Sequence, residues 1–85
     1  MTAMTDATGL PGAPYGPVRK RSLAIAGHAT SISLEDAFWV ELRRLAEAQK
    51  RPLADLVTAI DHARGAANLS SALRLYVLGA IKSGL

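Results

Sequence analysis

The sequence predicts a mainly α-helical domain in which a short N-terminal β-strand is followed by three helices. Three observations lead there. Thr30 to Leu34 alternates strictly between faces, with Thr30, Ile32 and Leu34 on one side and Ala29, Ser31 and Ser33 on the other. After that run, apolar residues recur at three-and-four spacing to the end of the chain, interrupted by two turn signals. Finally, hydrophobic residues make up 49% of the chain but aromatics only 5%, which favours an aliphatic helical core over a sandwich or barrel.

The chain has 85 residues, enough for one small domain and a marginal core, so association with a second copy is an obvious source of further buried area. Two parts are expected: a disordered N-terminal arm over residues 1–18, and a domain over 19–85. The arm holds Pro11, Pro14 and Pro17 together with Gly9, Gly12 and Gly16, and has little with which to form a core.

From Ser22 the pattern changes. Leu23 and Ile25 alternate with Ala24 and Ala26, the run breaks at Gly27, and it resumes through Leu34, which suggests a bend or bulge between two short extended pieces. Helix signals follow at once. Ser33 with Asp36 resembles a capping pair, and Glu35 and Asp36 place negative charge at the positive end of a helix dipole.

Phe38, Leu42, Leu45 and Ala46 then mark the buried stripe of a first helix that runs to about Lys50. Pro52 fits the opening of a second helix, where no amide donor is needed, with Leu53, Leu56, Val57 and Ile60 as its stripe and Gly65 in the turn that ends it. Asn68 is suited to cap a third helix. That helix carries Leu69, Ala72, Leu73, Tyr76, Val77, Ala80 and Ile81 on one stripe, and Leu75 and Leu78 off it. A helix apolar around so much of its circumference is buried on more than one side, by its own chain or by a partner.

A strand leading into two helices, with the tight turn "AQKRPL" between them, resembles the ribbon-helix-helix family of DNA-binding proteins. The stretches "GHATSISLEDAFW" at 27–39 and "NLSSALRLYVL" at 68–78 are similar to a bacterial subgroup of that family, and the resemblance covers residues 19 to about 82.

It implies an obligate homodimer, in which strands of two chains pair into an antiparallel two-stranded ribbon above interlocked helices. Thr30, Ile32, Leu34, Phe38, Leu42, Leu45, Leu56, Val57 and Ile60 would then form the shared core. It also implies a ribbon set in the major groove of double-stranded DNA, with Ala29, Ser31 and Ser33 reading base edges, His28 beside them, and the amides near Leu53 and Ala54 holding a phosphate. Positions 28, 29 and 33 carry His, Ala and Ser where relatives often carry arginine, the side chain best suited to guanine.

Arg19, Lys20 and Arg21 form a basic cluster ahead of the ribbon that could track phosphates or enter the minor groove. Read blandly, the same cluster is a solvated charge run, Ser33 is a helix cap and Ser31 is a surface residue. Arg74 is expected to pair with Asp55 or Asp61 across helices. Of Phe38 and Trp39, whose side chains point about 100° apart, one belongs to the core.

The net charge of +3 is compatible with a nucleic-acid partner. There is no cysteine, which removes disulfides, thiolate metal sites and cysteine catalysis. His28 and His62 have no ligand-spaced companions, so no metal or other cofactor is expected, and no catalytic constellation is visible. No apolar run approaches the roughly 18 residues of a membrane span. The opening residues lack both a basic n-region and an apolar h-region, so the expected location is the cytoplasm.

The sequence reading is therefore a homodimeric bacterial transcriptional regulator, or the antitoxin half of a toxin–antitoxin pair. A flexible segment after the helices would normally bind the toxin, and only three residues follow Lys82. The alternative is a protein-interaction module of the same fold that has lost specific base reading and binds another protein through its third helix.

Overall fold

The computed structural model describes residues 16–85. Two strands, β1 (Val18–Ile25) and β2 (His28–Glu35), lead into three helices: α1 (Asp36–Ala48), α2 (Leu53–Ala63) and α3 (Leu69–Lys82). The strands pair antiparallel, from Val18 opposite Glu35 to Ile25 opposite His28. A two-stranded antiparallel ribbon and three helices are what the sequence predicts, and within the single chain β1 supplies the strand that pairs with β2.

The turn between the strands accounts for this pairing. Ala26 and Gly27 form a two-residue loop with φ of 51° and 84°. Positive φ at both central positions is the pattern of a type I′ turn, whose twist matches that of the flanking strands. Gly27, read from sequence as a bend or bulge, is thus a hairpin turn. The basic cluster read as part of a flexible approach to the ribbon lies within β1, and the ribbon starts at Val18, one residue before the expected domain boundary.

Across an antiparallel ribbon, residues directly opposite share a face. Arg19, Arg21, Leu23 and Ile25 therefore share the inner face with Leu34, Ile32, Thr30 and His28. Lys20, Ser22 and Ala24 share the outer face with Ser33, Ser31 and Ala29.

The inner face closes over the helices. Ile25, Ile32 and Leu34 are buried with Trp39, Leu42, Leu45 and Ala46 of α1, Leu56, Val57 and Ile60 of α2, and Leu73, Val77 and Ala80 of α3. No polar or charged residue is buried with them among the described residues. Two expected core members stand at the margin: Thr30 is half-buried, and Phe38 packs against the core from outside while Trp39 takes the interior place. All the expected members come together inside one chain.

The helix ends follow local chemistry. Glu35, with extended backbone, is the N-cap of α1, and neither it nor Ser33 supplies a side-chain cap. α1 stops at Ala48, and Lys50 adopts φ 55° in the turn that follows. Pro52 is the N-cap of α2, and Asn68 caps α3 by accepting from the Ser71 amide at 2.8 Å. Among the described residues, no helix is long and apolar enough to cross a membrane.

Candidate nucleic-acid interface

Strand alternation divides the basic cluster. Arg19 and Arg21 point inward at the open end of the ribbon, where the N-terminus of α1 meets them. Arg19 Nε lies 2.8 Å from Asp36 Oδ2, and Arg21 Nη2 lies 4.0 Å from Asp36 Oδ1. The Arg21 guanidinium also sits over the Trp39 ring, 5.4 Å from its centroid. Trp39 Nε1 in turn donates to the Arg19 carbonyl oxygen at 3.3 Å. These contacts fix the start of β1 on α1, and they occupy two of the three cations expected to reach phosphate.

Lys20 is the one cation with outer-face parity among the described residues of the ribbon. Around it the outer face is small and mostly polar. Ser22, Ala24, Ala29 and Ser31 are exposed, and Ser33 is partly covered by α3. His28 is exposed beside the turn, on inner-face parity with Ile25. Small side chains leave the ribbon backbone free to approach a surface closely.

The outer edge of β2 adds a second feature. In a two-residue hairpin the residues flanking the turn form a hydrogen-bonded pair, and bonded and non-bonded pairs alternate from there. Thr30, Ile32 and Leu34 thus direct their backbone groups to β1, whereas Ala29, Ser31 and Ser33 direct theirs to the opposite edge. The Ser33 carbonyl oxygen on that edge accepts from Ser70 Oγ at 3.0 Å. Beyond it, an open groove of about 680 Å³ runs between Thr30–Ser33 and the start of α3, with Arg64 and Asn68 on its far wall.

Arg74 also lines this groove. Its Nε donates to Glu35 Oε1 at 3.1 Å, and its guanidinium lies 5.8 Å from the Phe38 ring centroid. The partner expected from sequence was Asp55 or Asp61, but Asp61 is engaged by Arg64 at 2.6 Å instead. The Glu35 carboxyl is held below its ordinary value of 4.5, first by a backbone hydrogen bond at Glu35 itself and then by Arg74; desolvation opposes both.

Leu53 and Ala54 open α2. Its first backbone bonds run from the Asp55 and Leu56 amides to the Pro52 carbonyl oxygen, at 3.1 and 3.2 Å. The Leu53 and Ala54 amides precede these bonds, as the first donors of a helix do. Asp55 stands in the same turn, so the dipole there already faces one carboxylate. Just before it, Arg51 Nε is buried without a hydrogen-bond partner.

The residues that sequence reasoning missed are Ser22 and Ala24 on the outer face, together with Asp36 and Trp39 as the anchors of Arg19 and Arg21. The alternation of Leu23 with Ala24 carried part of that signal. Finding the rest required knowing that β1 pairs with β2.

A family model described as a ribbon-helix-helix domain matches residues 18–81 of the chain. Proteins of that family typically dimerise and bind DNA as transcriptional regulators. No curated protein and no solved structure shows significant similarity to the chain.

Proposed function

This chain belongs to the ribbon-helix-helix domain family, and from that premise we propose that it is a homodimeric, DNA-binding transcriptional regulator whose hairpin enters the major groove. One observation carries the reading: β1 and β2 form a complete two-stranded ribbon whose outer face is small and free of unpaired acid. The major groove, about 12 Å wide, admits a two-stranded ribbon. Glu35, the one acid with outer-face parity, is neutralised by Arg74.

In this reading Ser22, Ala24, Ala29, Ser31 and Ser33 approach base edges, while Lys20 and the Leu53 and Ala54 amides hold phosphates. Serine donates to or accepts from any base, and alanine offers only methyl contact, so base discrimination by one ribbon is shallow. Arg19 and Arg21 act as struts that hold the ribbon on α1. A cytoplasmic, bacterial setting accords with such a role.

The engagement of Arg19 and Arg21 by Asp36 favours a second reading, a protein-interaction module that keeps the fold without reading DNA. Binding of the purified protein to random-sequence duplex across a salt series separates the two. A regulator loses affinity steeply as salt rises, because each neutralised phosphate releases counterions. Absence of binding at about 50 mM salt, from a folded protein, selects the interaction module.

A further inference from the structure

We infer that the paired alanines at the tip of the ribbon, Ala24 and Ala29, read the C5-methyl group of a pyrimidine, which thymine and 5-methylcytosine share. The inference deepens the DNA-binding reading above and rests on it, since it names what the outer face selects.

Ala24 and Ala29 are directly opposite one another, both are exposed, and both have outer-face parity. Theirs is a non-hydrogen-bonded pair, the kind in which opposed Cα atoms stand about 4.5 Å apart and side chains lie closest. The two methyls therefore make one apolar spot at the end of the ribbon. The next rungs on this face are Ser22 with Ser31 and Lys20 with Ser33. Val18, the other apolar side chain on the outer face of the ladder, is three rungs away, opposite Glu35.

Beyond the alanines come only Ala26 and Gly27 of the turn, while Ile25 and His28 have inner-face parity. Among the described residues, no side chain longer than alanine's stands on the outer face of the tip. Nothing there holds the two methyls off the floor of a groove about 8.5 Å deep.

What a pair of methyls recognises follows from what base edges present. In the major groove guanine offers acceptors, cytosine a donor, adenine one of each, and thymine an acceptor beside its C5 methyl. An alanine methyl pressed on a donor or acceptor strips water from it and returns no hydrogen bond, which weakens binding. Pressed on a C5 methyl, it buries apolar surface on both partners. The alanine rung thus favours the one base-edge group that asks for no hydrogen bond.

The remaining rungs fit the same placement. Same-face positions recur about every 6.8 Å along a strand, close to two base-pair steps of about 3.4 Å. With the alanines on a methylated pyrimidine, the serine rung falls roughly two base pairs away, where hydroxyls accept any base. Lys20 falls roughly four base pairs away, within reach of the phosphates that line the groove.

Duplexes that differ only in the methyl group test the inference: thymine against uracil opposite adenine, and 5-methylcytosine against cytosine opposite guanine. The full chain should bind the uracil duplex about tenfold more weakly than the thymine duplex, from two lost contacts each worth about one buried methylene. The 5-methylcytosine duplex should exceed the cytosine duplex by a similar factor. The double variant Ala24→Ser, Ala29→Ser should keep its circular dichroism, because both positions are exposed, and should bind thymine and uracil duplexes alike. Ala29→Ser alone should keep a preference of about threefold, from the one contact left.

Equal binding of all four duplexes by a chain that does bind DNA overturns the methyl contact and leaves the DNA-binding reading standing. A thymine preference undiminished in the double variant also overturns it, and traces the preference to the shape of the duplex. Absence of binding to any duplex at about 50 mM salt overturns both. A preference confined to one pair of duplexes, and abolished in the double variant, upholds the contact and identifies which pyrimidine supplies the methyl.

Discussion

The indole of Trp39 reaches back twenty residues to the carbonyl oxygen of Arg19, 3.3 Å away, and so pins the first strand of the ribbon to the first helix. Arg21 covers the same ring. The Trp39 side chain is 1% exposed, so packing, a hydrogen bond and a cation–π contact converge on one residue. Trp39→Phe keeps most of the packing and should cost about 1–2 kcal/mol, from the lost donor and a weaker cation–π contact. Trp39→Ala should cost about 3–5 kcal/mol. Urea unfolding of both variants provides the comparison, and equal losses would mean that the indole nitrogen contributes nothing.

The basic cluster should divide functionally as it divides structurally. If the ribbon binds DNA as proposed, Lys20→Ala should reduce the slope of log affinity against log salt by about 1, the amount expected for one lost phosphate contact. Arg19→Ala should leave that slope nearly unchanged. Its ion pair with Asp36 is well exposed on both sides, so the stability cost should be below about 1 kcal/mol. Equal slope changes for the two variants would mean that Arg19 leaves Asp36 to meet DNA.

Ser31 is exposed on the outer face of the ribbon. Within the DNA reading, Ser31→Arg should introduce a preference for guanine-containing duplexes of about 1–3 kcal/mol per well-placed contact. Competition between two duplexes that differ at one base pair measures it. Uniformly tighter binding, with no new preference, would place position 31 over phosphate.

Glu35 makes stability depend on acid. Its carboxyl is held below the ordinary value of 4.5 in the folded chain, so the stabilisation is fully present above that pH. It is lost as pH falls through the lowered folded value, where the carboxylate takes a proton and releases Arg74. Glu35→Gln should therefore flatten the acid limb of a melting-temperature profile and leave the neutral region nearly parallel to wild type. An unchanged acid limb would assign that pH dependence to other carboxylates.

At the turn, Ala26 adopts φ 51°, a region that costs an ordinary L-residue about 1–2 kcal/mol. Asparagine tolerates it and leads the preferred Asn-Gly pair of such turns. Ala26→Asn should raise stability by up to about 1 kcal/mol, whereas Gly27→Val, at φ 84°, should lower it by more than that. Thermal melts of the two variants should move in opposite directions.

The helices and β2 were legible in sequence because each has a regular apolar period and a local end signal, such as Asn68 or Pro52. The first strand was legible only in part, from the alternation that begins at Leu23. Arg19 and Arg21 occupy inward positions, which reads as a broken pattern until Asp36 and Trp39 are seen to receive them. Choosing between Phe38 and Trp39 met the same difficulty, since either fits a helical stripe with Leu42. The buried place goes to the residue whose polar atom has a partner, and that partner lies on another element. Likewise the outer-face positions of β2 could be read from alternation, whereas Ser22 and Ala24 depended on knowing which strand pairs with it. Arg74 found Glu35, across 39 residues of chain, at a range no periodicity encodes.

The hairpin turn also determines the order of the folding reaction. A ribbon assembled from two chains forms at a rate that depends on how often the chains collide. Here the ladder joins residues at most 17 positions apart, from Val18 to Glu35, and hairpins of that kind close in about 1–10 μs. Acquisition of the ribbon is thus unimolecular, and its refolding rate should stay constant over a hundredfold dilution of protein. If the chain dimerises as proposed, only that joining should slow as the solution thins.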